Sequence, residues 1–403
     1  MSTFTPRPWR VATAVVAVCG LVVVAVPEAA AAPAARSNYH IVNLTPAGIT
    51  SSSVADINNR GQIAGRIEPE LGVLRATTWV RGMSQQLSDV TSQASMINDR
   101  GQVLGYTEDA AGLRLVRWWR GNEAVVDERG APTDQLVALD ERGRVLLTSS
   151  DFGSGAFSAS IWRDGQTVEV IGLPAPIPDT GPFAWAFPQL RDMNERGQII
   201  GDGPAPFLGG GGSAFVWKDG VTAILPSLDG RPGTSVSALN ARGQIAGNSS
   251  ALDGTASHPV IWHNGRVRDL GTLPGAAFTT TQHTQQALSD NGHVIGFASS
   301  ADFMSHRAWI WHRGHMTDLG DLGGTFTDPI AVNDRGRVVG SALTADGELH
   351  AFVWERGRIT DLGDLGGGES HAFGINDRGD IIGESRTTDH QVHAVLWTRR
   401  RLP

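Results

Sequence analysis

Four histidines stand at nearly the same place in the last four of eight similar segments. His258, His306, His350 and His393 each precede a tryptophan by four or five residues. Such a set suggests either a ring of metal ligands or a repeated structural hydrogen bond. Ligands must converge to about 2 Å from one ion, and equivalent positions of successive repeats are widely separated around a ring. The hydrogen-bonded reading is therefore preferred, and no metal is expected. Asp269, Asp318 and Asp361 also repeat, but they fall on the outermost strand of each segment, a poor place for an acid–base pair. Hydrolysis of a glycoside needs two carboxylates within about 5–10 Å, for which Asp179, Asp192 and Asp302 are the candidates. The chain has no nucleophile motif, zinc spacing or phosphate loop, and its Asp–Asn turns lack the alternating carboxylates of a calcium loop. No catalytic residue and no cofactor is expected.

Arginine precedes the turn glycine in seven of eight segments, at positions 60, 100, 142, 196, 242, 335 and 378. These could ring the mouth of a channel and hold an anion. Asp99, Glu141, Glu195, Asp334 and Asp377 stand immediately before five of them, so a solvated turn is the better reading. Aromatic residues outside the repeated pattern carry the sharper signal. Three long stretches, 173–189, 201–213 and 271–286, break the regular spacing, and such loops on a rigid scaffold are common carriers of function. They supply Phe183, Trp185, Phe187, Phe207, Phe278 and His283 as candidate ligand-binding residues. Aromatic rings there could stack on a sugar or receive a peptide; alternatively, they fold back over the scaffold or plug its channel.

The elements that position these residues follow from the repeat. Segments such as INNRGQIAG (57–65), MNERGQIIG (193–201) and INDRGDIIG (375–383) recur with the turn glycine at 61, 101, 143, 197, 243, 292, 336 and 379. The intervals are 40, 42, 54, 46, 49, 44 and 43 residues, the range of repeat architectures. Tryptophans at 79, 119, 162, 217, 262, 311, 354 and 397 follow these glycines by 18 to 20 residues. The period-two alternation beside them predicts inter-blade packing. Asn, Asp or Ser opens each turn and can hydrogen-bond the backbone two residues on, while Gly takes positive φ without steric cost. That predicts a type I turn with a glycine bulge between strands A and B. A second hairpin follows, as in HAFVWERGRITDLG (350–363). Four short strands per unit predict an all-β, eight-bladed β-propeller of four-stranded antiparallel blades. The eighth unit lacks a fourth strand, and NYHIVNLTPAG (38–48) reads as its replacement, closing the ring by pairing the N-terminal strand with the last blade.

The ends and composition set the setting. Arg7 and Arg10, the 16-residue apolar run Val11–Val26 and an alanine tract make residues 1–35 an expected secretion signal, too short for the ~20 residues of a membrane span. Residues 38–403 then form a single domain of eight repeats, expected to be extracellular, monomeric and off the membrane. The only cysteine is Cys19, so no disulfide is expected beyond the signal. A net charge of −8 argues against nucleic acid as a partner.

His-Ala-Phe at 350–352 and 371–373, with ITDLGDLGG (359–367) and INDRGDIIGES (375–385), resembles the HAF-repeat family of extracellular bacterial proteins. The resemblance covers the chain beyond residue 38 and is strongest in the last four units. It implies secretion and repetition, and brings no catalytic residues. The expectation is a non-catalytic binding module for an extracellular ligand, a glycan, a cell-surface polymer or a protein. The alternative is a hydrolase or lyase acting on a polysaccharide.

Overall fold

The computed structural model describes residues 38–399 apart from 111, 128–134, 152–153, 176, 179–184, 205–211, 231–232 and 251–256; for Ile177, Pro178, Trp185 and Ser250 it describes the backbone alone. The expected signal at 1–35, Cys19, Asp179, Phe183 and Phe207 lie outside the described residues. No helix among the described residues is long and apolar enough to cross a membrane.

Each A–B corner is built by one side chain. In unit one Asn58 Oδ1 accepts from the backbone N–H of Arg60 and of Gln62 (3.0 Å each), and Gly61 N–H closes the turn on Asn58 O at 2.9 Å. Gly61 has φ +78°, which no other residue takes at so little cost. The C–D corners are type I′: Arg356 and Gly357 both have positive φ, 53° and 82°. Unit one thus runs Ser51–Ile57 (A), Gln62–Glu70 (B), Val73–Val80 (C) and Met83–Gln86 (D). Units two to five repeat it over 91–127, 135–169, 189–224 and 234–269. Unit six is Phe278–Thr281, Val294–Ser299, His306–His312 and His315–Asp318, with a 3-10 turn at Gln285–Ala287. Unit seven is Gly323–Val332, Val338–Thr344, Leu349–Glu355 and Arg358–Asp361; unit eight is Gly366–Ile375, Ile381–Thr387 and Val392–Thr398. A further two-residue pairing, Ile177–Pro178 with Trp185–Ala186, sits before unit four.

Strand A bulges near its end, as between Ala372 and Gly374. The bulge brings its carbonyls against the glycine of strand B. A Cβ on Gly383 would lie 1.8 Å from His371 O, and one on Gly65 would lie 2.1 Å from Ser53 O. That close approach explains why the repeat writes Gly after its apolar pair.

The core lies between neighbouring units, face to face. Trp79 of unit one is fully buried with Leu44, Ile382 and Leu396, and its indole donates to Leu44 O at 2.8 Å. Trp217 donates to Ile171 O and Trp262 to Pro226 O, each on the preceding unit. Inter-blade packing by tryptophan is what the alternation predicted, with one correction. In unit two it is Trp118, not Trp119, that faces Val103 as Trp79 faces Ile63. Trp118 is buried, while Trp119 is partly exposed between the guanidinium groups of Arg117 and Arg120.

The expected closed set of eight separate blades is corrected as well. Units one to five form separate four-stranded antiparallel sheets, but units six to eight run together as one twelve-stranded sheet. Parallel bridges His306–Phe326 and Leu349–Glu369 join them. His40–Asn43 lies antiparallel to Val392–Thr398 (Ile41 opposite Trp397) as the terminal strand of this sheet, whose other end is Phe278–Thr281. The path is open, and no described sheet closes on itself. The physical reason is that, among the described residues, no strand pairing joins units one to five to one another; they meet through side-chain faces, and ladder pairing passes between units only from six to eight. Continuity around the array comes instead from the turns.

Candidate functional site

The turn asparagines that shape each A–B corner also join the units. Asn58 Nδ2 donates to Asn98 O (2.9 Å), Asn98 to Asp140 O, Asn194 to Asn240 O and Asn240 to Ser289 O (3.0 Å each). Asn333 donates to Asn376 O (3.0 Å), and Asn376 returns to Asn58 O (3.1 Å). Unit three has Asp140 in place of Asn and cannot donate; Arg144 takes over, reaching Asn194 O at 3.0 Å. The series runs from unit to unit, is interrupted between units six and seven, where Ser289 stands in the asparagine's place, and returns at Asn376 to the unit where it began.

A second series lies beside it. The residue after each ring position is Asn59, Asp99, Glu141, Glu195, Ala241, Asp290, Asp334 or Asp377. Six of these side chains accept from the backbone of the preceding unit, among them Asp99 from Asn59 N–H (2.6 Å), Glu141 from Asp99 (2.9 Å), Asp290 from Ala241 (2.8 Å) and Asp377 from Asp334 (2.9 Å). Six carboxylates thus circle one mouth of the array. At two of them burial and like charge disfavour the ionised form. Burial, with the charges of Asp99 and Glu195, pushes Glu141 up to about 7, and burial with Asp377 raises Asp334.

These turns surround an axial cavity of about 370 Å³, lined largely by their polar groups. Its floor is the 3-10 turn of unit six. Gln285 Nε2 spans the axis to donate to Val137 O of unit three (2.8 Å) and Arg191 O of unit four (3.0 Å). Two acceptors of the lining, Glu195 Oε2 and Gln286 Oε1, are buried without a hydrogen-bond partner. The cavity is a bowl rich in acceptors, with no Lys, Arg or His in its lining.

The sequence-predicted residues are not brought together. Phe187 is buried and stacked on Phe157 at 6.1 Å, so it belongs to the core of units three and four. Trp185 pairs by its backbone with Pro178. Phe278 lies at the opposite end of strand A from the bowl, 43 % exposed, stacked on Phe303 (60 % exposed) at 5.0 Å. His283 lies near Arg191 of unit four; burial and then that guanidinium lower its pKa. The repeated histidines are hydrogen-bonded: His258 to Asp269 (2.9 Å), His350 to Asp361 (2.8 Å) and His393 to Asn43 (2.9 Å). His306 lies between the rings of Phe297 and Phe326.

Of the candidate acids, Asp192 has both oxygens engaged by backbone N–H groups of Met193 (2.8 Å) and Leu239 (3.2 Å). Asp302 is exposed and caps Ser300 and Met304 locally. Three of the turn arginines are engaged on the next turn: Arg196 and Arg378 donate to the carbonyls Arg242 O and Arg60 O, and Arg242 to Asn291 Oδ1. In the sequence the repeated carboxylates stand out only as neighbours of these arginines, although their recurrence at one register is the available signal. Gln285 and Gln286 lie within the irregular stretch 271–286, with no pattern of their own to mark them.

No family model matches the chain, and comparison with curated proteins finds no relative. Among solved structures the chain is similar to dipeptidyl peptidase 4 of Porphyromonas gingivalis, at 10 % identity and TM-score 0.50, over 83 % of this chain and 55 % of that one. It is also similar to an acylaminoacyl peptidase of Pyrococcus horikoshii (13 %, TM-score 0.49, 83 % and 58 %). A third is the β-propeller domain of the Trilobed protease of Pyrococcus furiosus, described as having an open velcro topology (9 %, TM-score 0.47, 77 % and 96 %). The chain spans little more than half the length of the two peptidases. At these identities the likeness is one of fold: β-propeller-like, repeat-rich and all-β.

Proposed function

We propose that the chain is a non-catalytic binding protein whose axial bowl holds a small, donor-rich ligand, the terminal residue of an extracellular glycan or cell-surface polymer. One observation carries this reading: Glu195 Oε2 and Gln286 Oε1 are buried acceptors without donors, in the lining of a polar cavity of about 370 Å³. Buried polar atoms in folded proteins are nearly always paired, and the volume lies within the range of small-ligand pockets. Hydroxyl or amino donors of a sugar meet both conditions. The amino-terminal segment and the HAF-like motifs support an extracellular setting.

The stack of Phe278 on Phe303 supports a second contact on the opposite face, since exposed aromatic rings offer a surface to a sugar or peptide. The hydrolase reading has weaker support, because Asp192 and Asp302 are committed to backbone and local hydrogen bonds. Thermal-shift titration of the purified protein with a panel of hexoses, aminohexoses and polyols tests the bowl. At least one should raise the Tm of the wild type and leave Gln286→Leu unmoved. If no compound stabilises the protein, or the variant responds equally, the bowl is not the site. Release of reducing ends from a polysaccharide, lost in Glu141→Gln, would instead establish catalysis.

A further inference from the structure

We infer that the joint between units six and seven is an acid-sensitive seam, in which protonation of His293 in its stack against His312 loosens turn 289–292 from turn 333–336. Unit six departs from the repeat at three positions of its turn. Ser289 replaces the ring asparagine, Asn291 replaces the arginine, and His293 stands where units one, two, four and five carry Gln62, Gln102, Gln198 and Gln244. Ser289 does not extend the ring forward; its Oγ pairs with His293 Nδ1 at 3.1 Å. The joint is held instead by Asn291, whose N–H reaches Asp334 Oδ1 (3.0 Å) and whose Nδ2 reaches Asp334 O (2.9 Å).

His293 fills the gap. Its Nε2 lies 2.9 Å from where a Cβ on Gly336 would be, so the ring is pressed on the turn of unit seven. Its face stacks on His312, with centroids 3.9 Å apart and planes 28° from parallel. Two neutral imidazoles accept that arrangement, whereas a proton on one places charge against the other. The charged and titratable groups around it are Asp290 on its own turn, His312 and Arg313 at the end of strand C, His315 opposite His312 on strand D, and Asp334 and Arg335 on the turn of unit seven. Asp290 and Asp334 are already engaged by the backbone of Ala241 and Asn291.

The sign follows. Burial, then His312 and Arg313, hold His293 down to about 4, against 6.5 in the unfolded chain. The unfolded or opened state therefore takes up the proton first as pH falls. The stability of the seam is complete above about 6.5 and is lost between 6.5 and 4. Both turns line the axial bowl, so it is the bowl's wall that loosens; the inference does not depend on what the bowl holds.

Hydrogen–deuterium exchange of the purified protein at pH 7 and pH 5, corrected for intrinsic rates, tests this. Protection of Val294–Ser299 and Gly323–Val332 should fall roughly twentyfold more than at the joint of units four and five, the factor that a histidine shift of this size gives by linkage between pH 7 and pH 5. His293→Gln, carrying the residue of the other units, should remove the excess. Equal loss at every joint, or an excess that persists in the variant, would overturn the inference. Should the variant not fold, an NMR titration of the wild type decides: a His293 that titrates near 6.5 refutes it.

Discussion

Asp56 and Asp192 occupy the same kinked position of strand A in units one and four. Each ties its own strand to the next unit: Asp56 accepts from Ile57 and Ile97, Asp192 from Met193 and Leu239. Burial outweighs these hydrogen bonds, so Asp56 is pushed up to about 6 and Asp192 to about 7. A carboxyl whose folded pKa exceeds its unfolded 3.8 contributes stability below about 3.8 that is lost as pH rises through 7. The difference in stability between wild type and Asp192→Asn should thus be largest in acid and shrink by up to about 4 kcal/mol towards pH 8; chemical denaturation at pH 4, 6 and 8 measures it. A difference constant with pH would show that Asp192 titrates normally. Gly383→Ala forces a Cβ onto His371 O, and we expect a loss of about 3 kcal/mol, the upper end for overpacked sites; Gly374→Ala, where the nearest atom to a Cβ lies at 3.4 Å, serves as the control. The glycine was visible in the sequence as a repeated letter, but the carbonyl it makes room for was not. Likewise the spacing rule chose Trp119 over Trp118, because a one-residue difference in offset reverses the face of a strand.

At the scale of the element, the A–B turn does two jobs with one residue. Asn376 holds its own corner through Oδ1, accepting from Arg378 and Asp380 N–H, and the neighbouring unit through Nδ2. Asn376→Ala should cost about 1–3 kcal/mol for each buried group it orphans, measured by urea denaturation; Asn376→Asp should keep the corner yet lose the donor to Asn58 O, and so fall between. Identical effects of Ala and Asp would mean that the inter-unit bond contributes nothing. The turn chemistry was fully legible in sequence, since Asn, the positive-φ glycine and the flanking apolar residues act locally. The second job was not, because its partner lies a whole repeat away. Gln285 is the extreme case: its contact with Val137 spans 148 residues, and no pattern in 271–286 announces it.

For the whole molecule, glycines and tryptophans at matched spacing were enough to give the repeated four-stranded antiparallel unit and the placement of the core between units. They did not give the sheet arrangement, in which units six to eight fuse and every path stays open, because the fusing bridges His306–Phe326 and Leu349–Glu369 are backbone pairings that no residue pattern marks. Nor did they place the site. The aromatic residues drew attention to the irregular face, whereas the acceptor-rich bowl lies among the regular turns. The most direct measurement is a crystal structure of the protein with the glycan that it retains most strongly on an array. The binding reading predicts a terminal sugar in the bowl, donating to Glu195 Oε2 and Gln286 Oε1. A sugar seated on Phe278 and Phe303 alone, or an empty bowl beside a ligand bound elsewhere, would contradict it.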